Sequence, residues 1–577
     1  MTRIPLLPAT SILAAALVLA GCNRPAEAPA GAAAPAASST ASSDGVITAA
    51  DFAAHVQALS SDEFGGRAPG SDGEEKTIAY LTAQFQRLGL KPGNGDSFVQ
   101  AVPMVETTAD ESTVLRLDVD GQPRELKFGS EMMIGTRSGQ PQVRIDDSEL
   151  VFVGYGVNAP ELGWNDYAGV DVKGKTVLMF VNDPGFHTQD ESLFEGKRMT
   201  YYGRWTYKYE EAARQGAAAA IIIHDDDGAS YGWDVVKNSW SGPQFDLPAS
   251  VDPEPRLPAQ GWITGDVARG LLRDLGHDLD GLYKAANQKG FKAIELPAKL
   301  SLDLDSTTAE KTSHNVVAML PGSTRPDEAI VYMAHWDHLG DHGHEGGTTD
   351  GAAAAGDDAI YNGAVDNATG VAGILEIAEA FATQTPAPER SVVFLAVTLE
   401  ESGLLGSKYY VANPAIPLAN TVAVINLDAM PVIGKARDMT VVGLGNSQLE
   451  DILKDIAGEQ GRTLTAETTP QSGFYFRSDH FNFAKAGVPA LYAKGGDDLI
   501  EGGLDAGLKA QLDYRDNRYH KPADEFDPAW PLDGVMQDLE ALYGVGKVLA
   551  GSEQWPNWYE GNAFRAARDQ SRPPSAP

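Results

Sequence analysis

The chain of 577 residues is too long for one hydrophobic core, and its hydrophobic (43%) and charged (22%) contents are ordinary for a folded protein. Its 80 acidic residues against 45 basic ones give a formal net charge of −35, which opposes binding to nucleic acid and favours solubility. Cys22 is the single cysteine, so an intramolecular disulfide is excluded. We expect two or three domains and no nucleic-acid partner.

The N-terminal segment has the pattern of an export signal. Arg3 precedes an apolar run over residues 12–20, which is shorter than the roughly 20 residues needed to span a bilayer. Leu19-Ala20-Gly21-Cys22 resembles the box of bacterial lipoproteins, in which the cysteine is lipidated and becomes the mature N-terminus. Residues 1–22 are therefore predicted to be a lipoprotein signal peptide with Cys22 as the lipidation site. An ordinary signal peptide with an incidental cysteine is the alternative. We expect an exported protein, anchored to a bacterial membrane through this lipid alone, in the periplasm or at the cell surface.

Residues 23–45 consist largely of Ala, Pro and Ser, with too few large apolar side chains to fold, and are predicted to be a flexible tether. Folded sequence begins near Ile47. Residues 46–106 contain predicted helices at 53–59 and 74–88, and a turn-rich loop at 62–70 separates them. They form the first part of the main domain.

Residues 107–304 differ in character from the sequence on either side. Short β-type runs at 114–119, 150–153, 176–181 and 217–223 are broken by Gly, Asp and Pro, with one or two helices, including one near 207–215. The sequence before and after this segment belongs to one domain. We therefore predict that residues 107–304 are an inserted small domain of mixed or β-rich structure.

Residues 305–555 alternate between strand and helix. Strands are predicted at 329–334, 392–399, 421–427 and 488–493, and helices at 368–382 and 449–459. The nearly continuous apolar strands are typical of a sheet covered on both faces. The main domain, 46–106 and 305–555, is thus predicted to be α/β, with a mostly parallel central sheet flanked by helices. Residues 556–577 are predicted to be a loose C-terminal tail.

Polar side chains follow the strands of this predicted sheet at the points where the strands end. His335 follows the strand ending at residue 334, Glu400 and Glu401 follow the next, and Asp428 follows the third, while Asp366 directly precedes a helix. Ligands of open α/β sheets bind outside the carboxyl ends of the strands. We expect an active site at this edge.

The residue types at this edge suit two divalent metal ions. Imidazole nitrogen and carboxylate oxygen are ligands of zinc, and two metals can share a bridging carboxylate. Neighbouring side chains diverge, so one of Glu400 and Glu401 can bind metal while the other acts as a general base. Asp337, two residues after His335, is placed to hold the second ring nitrogen of that histidine. His520 supplies a further imidazole.

Five stretches resemble the M28 family of zinc aminopeptidases and occur in the family's order. They are 334–340 (AHWDHLG), 361–370 (YNGAVDNATG), 399–403 (LEESG), 426–428 (NLD) and 519–524 (YHKPAD). The resemblance covers roughly residues 47–551 and implies a zinc-exopeptidase-like fold acting on peptides. The segment 107–304 resembles a protease-associated (PA) domain.

The resemblance implies a role for each residue and two zinc ions per chain. Asp366 would bridge the metals, His335 and Asp428 would complete one site, and Glu401 and His520 the other. Glu400 would be the base that activates a bridging water, and Asp337 would orient His335. In the family the bond after the bridging aspartate is often cis, so Asp366–Asn367 is a candidate cis peptide.

The sequence departs from the family's pattern at two places. Trp336 stands where tyrosine is common, which is expected to alter packing rather than metal binding. The segment 341–360 is long and rich in Gly and Ala. Three histidines lie in or beside this loop: His338, His342 and His344. They are expected either to be solvated or to support the metal ligands, and the alternative is that they bind a third metal.

Four further residues resemble a family element near the substrate pocket: Arg477, Ser478, Asp479 and His480. They either contribute to substrate binding or form local loop structure. Three alternatives to an aminopeptidase stay open at this point. They are a carboxypeptidase of similar fold with Arg477 or Arg515 as its carboxylate clamp, a one-zinc glutaminyl-cyclase-like transferase, and a non-catalytic surface binding protein.

Overall fold

The computed structural model describes residues 47–119, 121–341 and 359–572. The predicted signal peptide with Cys22, the predicted tether at 23–45, and His342 and His344 lie outside these residues. Within the described ranges no helix is both long and apolar enough to cross a membrane.

Two helices and two strands open the main domain: α1 (Ala49–Leu59), α2 (Asp72–Arg87), β1 (Lys91–Pro92) and β2 (Val99–Ala109). Side chains cap both helices, because Thr48 accepts a hydrogen bond from the amide of Asp51 and Ser71 accepts from two amides of the first turn of α2. Phe52 and Val56, four residues apart, are fully buried on one face of α1. Both predicted helices are present.

Ten strands and five helices lie among the described residues of the segment 107–304, before the long strand that ends it. The strands are β3 (Val114–Val119), β4 (Gln122–Lys127), β5 (Met132–Gly135), β6 (Gln142–Phe152), β7 (Asn158–Ala159), β8 (Trp164–Asn165), β9 (Thr176–Phe180), β10 (Ala219–Ile223), β11 (Pro243–Asp246) and β12 (Ala259–Ile263). The helices are α3 (Trp205–Arg214), α4 (Asp226–Ala229), α5 (Trp233–Trp240), α6 (Gly265–Asp274) and α7 (Leu279–Ala286).

Strands β6, β9, β10 and β12 are parallel neighbours in one sheet, with β5 antiparallel at its edge. The segment is therefore a mixed α/β layer. The prediction of one or two helices was wrong, because several of these helices are short and are fixed by caps, such as Asp278 at the start of α7, rather than by a long periodic pattern. Its relationship to PA domains stays a prediction.

One strand joins the inserted segment to the main domain. β13 (Ile294–Leu320) pairs with β3 and β6 in its first half. In its second half it pairs with β2, from Ser306 opposite Ala109 to Val316 opposite Val99, and then with the main sheet. The predicted boundaries at 107 and 304 thus fall inside strands, and a two-stranded ribbon rather than a flexible linker connects the two parts.

The main sheet continues with six strands: β14 (Arg325–His335), β15 (Arg390–Val397), β16 (Thr421–Asn426), β17 (Asp438–Val441), β18 (Thr463–Ala466) and β19 (Ala490–Gly495). The order β15–β14–β16–β19 is parallel throughout, with β13 and β17 antiparallel on either side. The remaining helices are α8 (Gly370–Thr383), α9 (Leu405–Ala412), α10 (Leu449–Glu459), α11 (His480–Lys485), α12 (Gly503–Asn517), α13 (Asp533–Ala550) and α14 (Arg565–Ser571).

Helices cover both faces of this sheet. Consecutive residues of β15 point to opposite faces of the sheet. Phe394 belongs to an apolar cluster with α8 and α13, and Leu395 belongs to another with α9 and α11. All eight residues of β15 are buried, as expected for a central parallel strand. The predicted α/β fold with a mostly parallel central sheet is confirmed.

Residues 556–572, the described part of the segment 556–577, are packed against the main domain, so the prediction of a loose C-terminal tail was wrong for them. Trp558 is fully buried and its indole N–H donates to the carbonyl oxygen of Gly487 at 2.9 Å. Arg568, on α14, is also buried and donates to the carbonyl of Thr421. The polar composition concealed this packing, since a single large aromatic side chain and one buried arginine anchor the segment.

Candidate metal centre

The carboxyl edge of the main sheet gathers the predicted site residues. β14 ends at His335, and Glu400 and Asp428 follow the ends of β15 and β16 within three residues. The backbone turns sharply at these points, with positive φ at Leu399 (57°) and Ala429 (48°), which flank Glu400 and Asp428. Such left-handed positions are costly for residues other than glycine and are concentrated at functional sites.

Asp366 faces a histidine with each of its two carboxylate oxygens. Its Oδ1 lies 3.3 Å from His335 Nε2, which is also 3.5 Å from Asp428 Oδ1. Its Oδ2 lies 3.2 Å from His520 Nε2, which is also 3.2 Å from Glu401 Oε2. Two groups, each of one histidine and two carboxylates, therefore share Asp366.

His338 also belongs to this centre. It is buried, and its Nδ1 lies 2.8 Å from Glu401 Oε1. One ring nitrogen of His338 and one carboxylate oxygen each of Asp366 and Glu401 lie within 4.8 Å of one another. Either His338 or His520 could therefore be the histidine ligand of the second group. Because His520 contacts both carboxylates as His335 does on the other side, we assign His520 to the group and His338 to the fixing of Glu401. The expectation that His338 is solvated is wrong; the alternative, a supporting histidine, fits.

The loop that carries Asp366 is held from two sides. Asp524 accepts hydrogen bonds from the amides of Val365 and Asp366 at 3.0–3.2 Å. Asn367 donates to the carbonyl of Leu427 and accepts from the amide of Ala429, which ties this loop to the one bearing Asp428. The Asp366–Asn367 bond is cis, as predicted.

A second anchor is the guanidinium of Arg67, a residue that the sequence placed in a plain turn-rich loop. Arg67 is 1% exposed and makes four hydrogen bonds of 2.6–2.9 Å to carbonyl oxygens of Leu59, Trp336, Asn362 and Gly363. Burial lowers its pKa to about 10, although nearby carboxylates oppose this. Arg67 thereby holds together the chain segments that carry His335 and Asp366.

Asp337 is fully buried behind the centre, and its contacts differ from those expected. The nearest acceptor to His335 Nδ1 is the backbone carbonyl of Asp337, at 3.2 Å, while the carboxylate is 3.8 Å away. That carboxylate instead accepts a hydrogen bond from the amide of Glu400 at 3.2 Å. Asp337 therefore supports His335 through its main chain and Glu400 through its side chain.

The electrostatics separate the two adjacent glutamates. Burial raises the pKa of Glu400 well above its usual range, and the charges of Glu401 and Asp428 add to this although His335 opposes it. For Glu401 burial acts in the same direction, but the charge and hydrogen bond of His520 outweigh it and hold the pKa well below its usual range. One glutamate is thus set up to exchange a proton and the other to remain ionised.

The stretch from 477 to 480 is only partly available to a substrate. Ser478, Asp479 and His480 are at most 2% exposed. Ser478 accepts from Asn426 at 2.7 Å and Asp479 accepts from Ser407 at 2.6 Å. Asp479 Oδ2 and His480 Nε2 are buried without a hydrogen-bond partner among the described residues, and substrate binding by these three residues stays a prediction. Arg477 alone keeps exposed surface.

The donor set fits metal binding. His520 Nε2 and His338 Nε2 are buried without a hydrogen-bond partner among the described residues, and the imidazole and carboxylate ligands match those of zinc. Two such groups sharing a carboxylate at the edge of a parallel α/β sheet form a candidate site for two metal ions.

The comparisons with known proteins name one family. Residues 315–543 match the model described as Peptidase family M28, and this segment carries the whole centre from His335 to His520. The matched segment lies within the α/β domain.

Two relatives and two solved structures are similar to this chain. The chain is 30% identical over 188 residues to a probable zinc metalloprotease of Pyricularia oryzae, covering 32% of each chain. It is 30% identical over 219 residues to leupeptin-inactivating enzyme 1 of Streptomyces exfoliatus, covering 36% of this chain and 44% of the relative. The chain thus spans less than half of the length of either relative.

Among solved structures it is similar to an aminopeptidase from Aneurinibacillus sp. strain AM-1, with 21% identity and a TM-score of 0.46, covering 88% of this chain and 95% of that one. The zinc aminopeptidase BSAP from Bacillus subtilis has 19% identity, a TM-score of 0.41 and coverage of 89% and 99%.

Proposed function

We propose that this chain is a zinc-dependent aminopeptidase that removes N-terminal residues from peptides and holds two zinc ions. The observation that carries the proposal is the pair of groups sharing Asp366, with one carboxylate oxygen at 3.3 Å from His335 and the other at 3.2 Å from His520. The match to Peptidase family M28 and the zinc metalloprotease among the relatives support the choice of zinc.

The proposed ligands are divided between the two ions. His335, Asp366 and Asp428 would hold one, and Asp366, Glu401 and His520 the other. When bound, the ions would polarise the scissile carbonyl and lower the pKa of a water molecule. His338 would keep Glu401 in position through its contact with Oε1, which leaves Oε2 for the metal.

Glu400 is the proposed general base. It takes a proton from the attacking water and passes it to the nitrogen of the leaving amine, and its raised pKa favours the uptake of that proton. The hydrogen bond from its amide to Asp337 fixes the backbone at this point. Removal of the carboxylate of Glu400 or of Asp337 should lower the rate of hydrolysis without removing a proposed metal ligand.

The choice of the amino end rests on the resemblance of the five stretches to zinc aminopeptidases and on the match to Peptidase family M28. The negative charge of the carboxylates does not decide it, because the zinc ions that they would hold offset that charge. Arg515, one of the two arginines considered as the clamp of a carboxypeptidase, is exposed and paired with Asp516. Arg477, the other, stays a candidate for contact with a substrate carboxylate, so the peptides described below decide which end is cleaved. The complete ligand set and the presence of Glu400 disfavour a one-zinc transferase or a non-catalytic protein.

A pair of matched peptides tests which end is removed. We expect Leu-Gly-Gly to lose its N-terminal leucine, and N-acetyl-Leu-Gly-Gly, which has the same free carboxyl group, to be cleaved at least about a hundredfold more slowly because it lacks the ammonium. Mass spectrometry of the products identifies the bond that is broken. Equal cleavage of both peptides with release of the C-terminal glycine would contradict the proposal and favour the carboxypeptidase.

A further inference from the structure

Two arginine side chains lie where the inserted segment packs on the main domain, and their guanidinium groups contact aromatic rings, Trp205 for Arg204 and Tyr231 for Arg477. Arg204 precedes α3 of the insert, and Arg477 lies in the loop before α11 of the main domain. The Nε atoms of both are buried without a hydrogen-bond partner. Within the ranges that the structure describes, neither guanidinium forms an ion pair with a carboxylate. In a chain with a net charge of −35 this is unexpected.

The other buried arginines each form hydrogen bonds or ion pairs, although Arg390 Nη2 and Arg568 Nη1 are also buried without a partner. Arg67 donates to four carbonyls, and Arg390 pairs with a glutamate and donates to two carbonyls. Arg462 lies 2.7 Å from Asp538, and Arg568 donates to main-chain oxygens. Arg204 is 8% exposed, yet its guanidinium has none of these contacts. A buried charge without a partner destabilises the fold unless a ligand completes the site.

The surroundings of the two guanidinium groups favour an anion. The Arg477 guanidinium carbon lies 6.0 Å from the ring of Tyr231, which belongs to the insert, and 5.5 Å from that of Phe474. Burial, followed by the nearby charge of Arg477, lowers the pKa of Arg204 to about 9. No side chain caps the first turn of α3, so the positive end of that helix adds to the field.

This junction borders the metal centre. Ser478, the neighbour of Arg477, accepts a hydrogen bond from Asn426 at the end of β16, two residues before Asp428. The insert contacts the same region, because Ser230 donates to the carbonyl of Gln471 at 3.3 Å. The loop that carries Arg477 thus contacts the strand end that leads to Asp428, and the insert that carries Arg204 contacts the segment just before this loop.

We propose that Arg204 and Arg477 together bind the terminal carboxylate of a short peptide substrate. This inference rests on the proposed function and extends it to a substrate class, namely short peptides with both termini free. The metal centre receives the amino end of the peptide, and the two arginines complement the negative charge of its free carboxyl group. Two guanidinium forks match the planar geometry of a carboxylate. One arginine comes from the insert, which therefore takes part in selecting the substrate.

The kinetic test compares Leu-Gly-Gly with its C-terminal amide. We expect the wild type to prefer the free acid in kcat/KM by at least about tenfold, as for a hydrogen-bonded charge, with the difference in KM. Arg204→Gln and Arg477→Gln should each lower this ratio of acid to amide, and the double variant should bring it close to one. Arg198→Gln is the matched control, because Arg198 lies at the same junction but donates to the carbonyl of Leu444, and it should keep the ratio.

A binding measurement separates this inference from the proposed function. Calorimetry on Glu400→Gln should give tighter binding of the acid than of the amide, and adding Arg204→Gln should remove the difference. This outcome supports the inference even if the wild type hydrolyses no peptide, in which case only the proposed function fails. Equal binding of acid and amide by Glu400→Gln would overturn the inference, as would tight binding of inorganic phosphate without any preference for the acid. An equal fall of acid and amide hydrolysis in the arginine variants would show a structural role and would also overturn it.

Discussion

Replacing Glu400 by glutamine is expected to lower kcat for an aminoacyl peptide by about 10²–10⁴-fold, the usual contribution of a general base. The amide keeps the shape of the side chain but cannot take a proton from water. Glu400 is not part of the histidine–carboxylate pairs that the proposed ligands form around Asp366. The zinc content of the variant should therefore equal that of the wild type. Initial rates and metal analysis on the same preparation measure both quantities.

Glu376→Gln is the matched control for this variant. Glu376 is 3% exposed, lies on α8 and accepts a hydrogen bond from the amide of Thr48, so it is a buried glutamate with no part in the centre. Its substitution should leave kcat within about twofold of the wild type, as expected of a residue outside the reacting groups. If Glu400→Gln retains both its zinc and full activity, the assigned base is wrong.

Replacing Arg67 by methionine is expected to destabilise the protein by at least about 3 kcal/mol. The variant keeps much of the volume of the side chain but leaves four carbonyl oxygens without their donor, among them those of Trp336 and Gly363. Because these carbonyls belong to the segments that carry His335 and Asp366, the affinity for zinc should fall as well. Urea unfolding of the metal-free protein measures the first effect, and competition with a chelator the second.

Two further variants show whether the effect comes from the geometry of the Arg67 guanidinium. Arg67→Lys keeps the charge but cannot reach four acceptors in a planar fork, so it should recover only part of the lost stability. Arg87→Met removes an ion pair with Glu379 at 2.9 Å near the surface and should cost less than about 1 kcal/mol. A loss of under 1 kcal/mol for Arg67→Met would contradict the anchoring role.

The fold of the main domain could be predicted because its signals are local. The apolar run of β15 and the periodic face of α8 are set by neighbouring residues, and both elements lie within a few residues of their predicted bounds. The packing of the C-terminal segment could not be predicted, since Trp558 is buried against a loop about 70 residues earlier in the chain. The continuous ribbon of β2 and β13 was missed for the same reason, because strand pairing over some 200 residues leaves no local pattern.

The residues of the centre could be predicted from their positions at strand ends, whereas their supports could not. His335, Glu400 and Asp428 follow strands that the sequence reveals. Arg67 lies in a loop of glycines some 270 residues away from its acceptor in Trp336, and nothing in its neighbourhood signals burial. Asp524 has a weak signal, because it stands four residues after His520 in one of the five stretches, but its bonds to the loop of Asp366 depend on the folded chain.

The zinc content of the purified protein tests the binuclear centre most directly. After dialysis against metal-free buffer, elemental analysis should give two zinc ions per chain, and chelation should remove them together with the aminopeptidase activity. Returning zinc to the metal-free protein should restore both, with activity rising as the second ion is bound. Fewer than one bound zinc ion per chain, or full activity in the metal-free protein, would contradict the two-metal account.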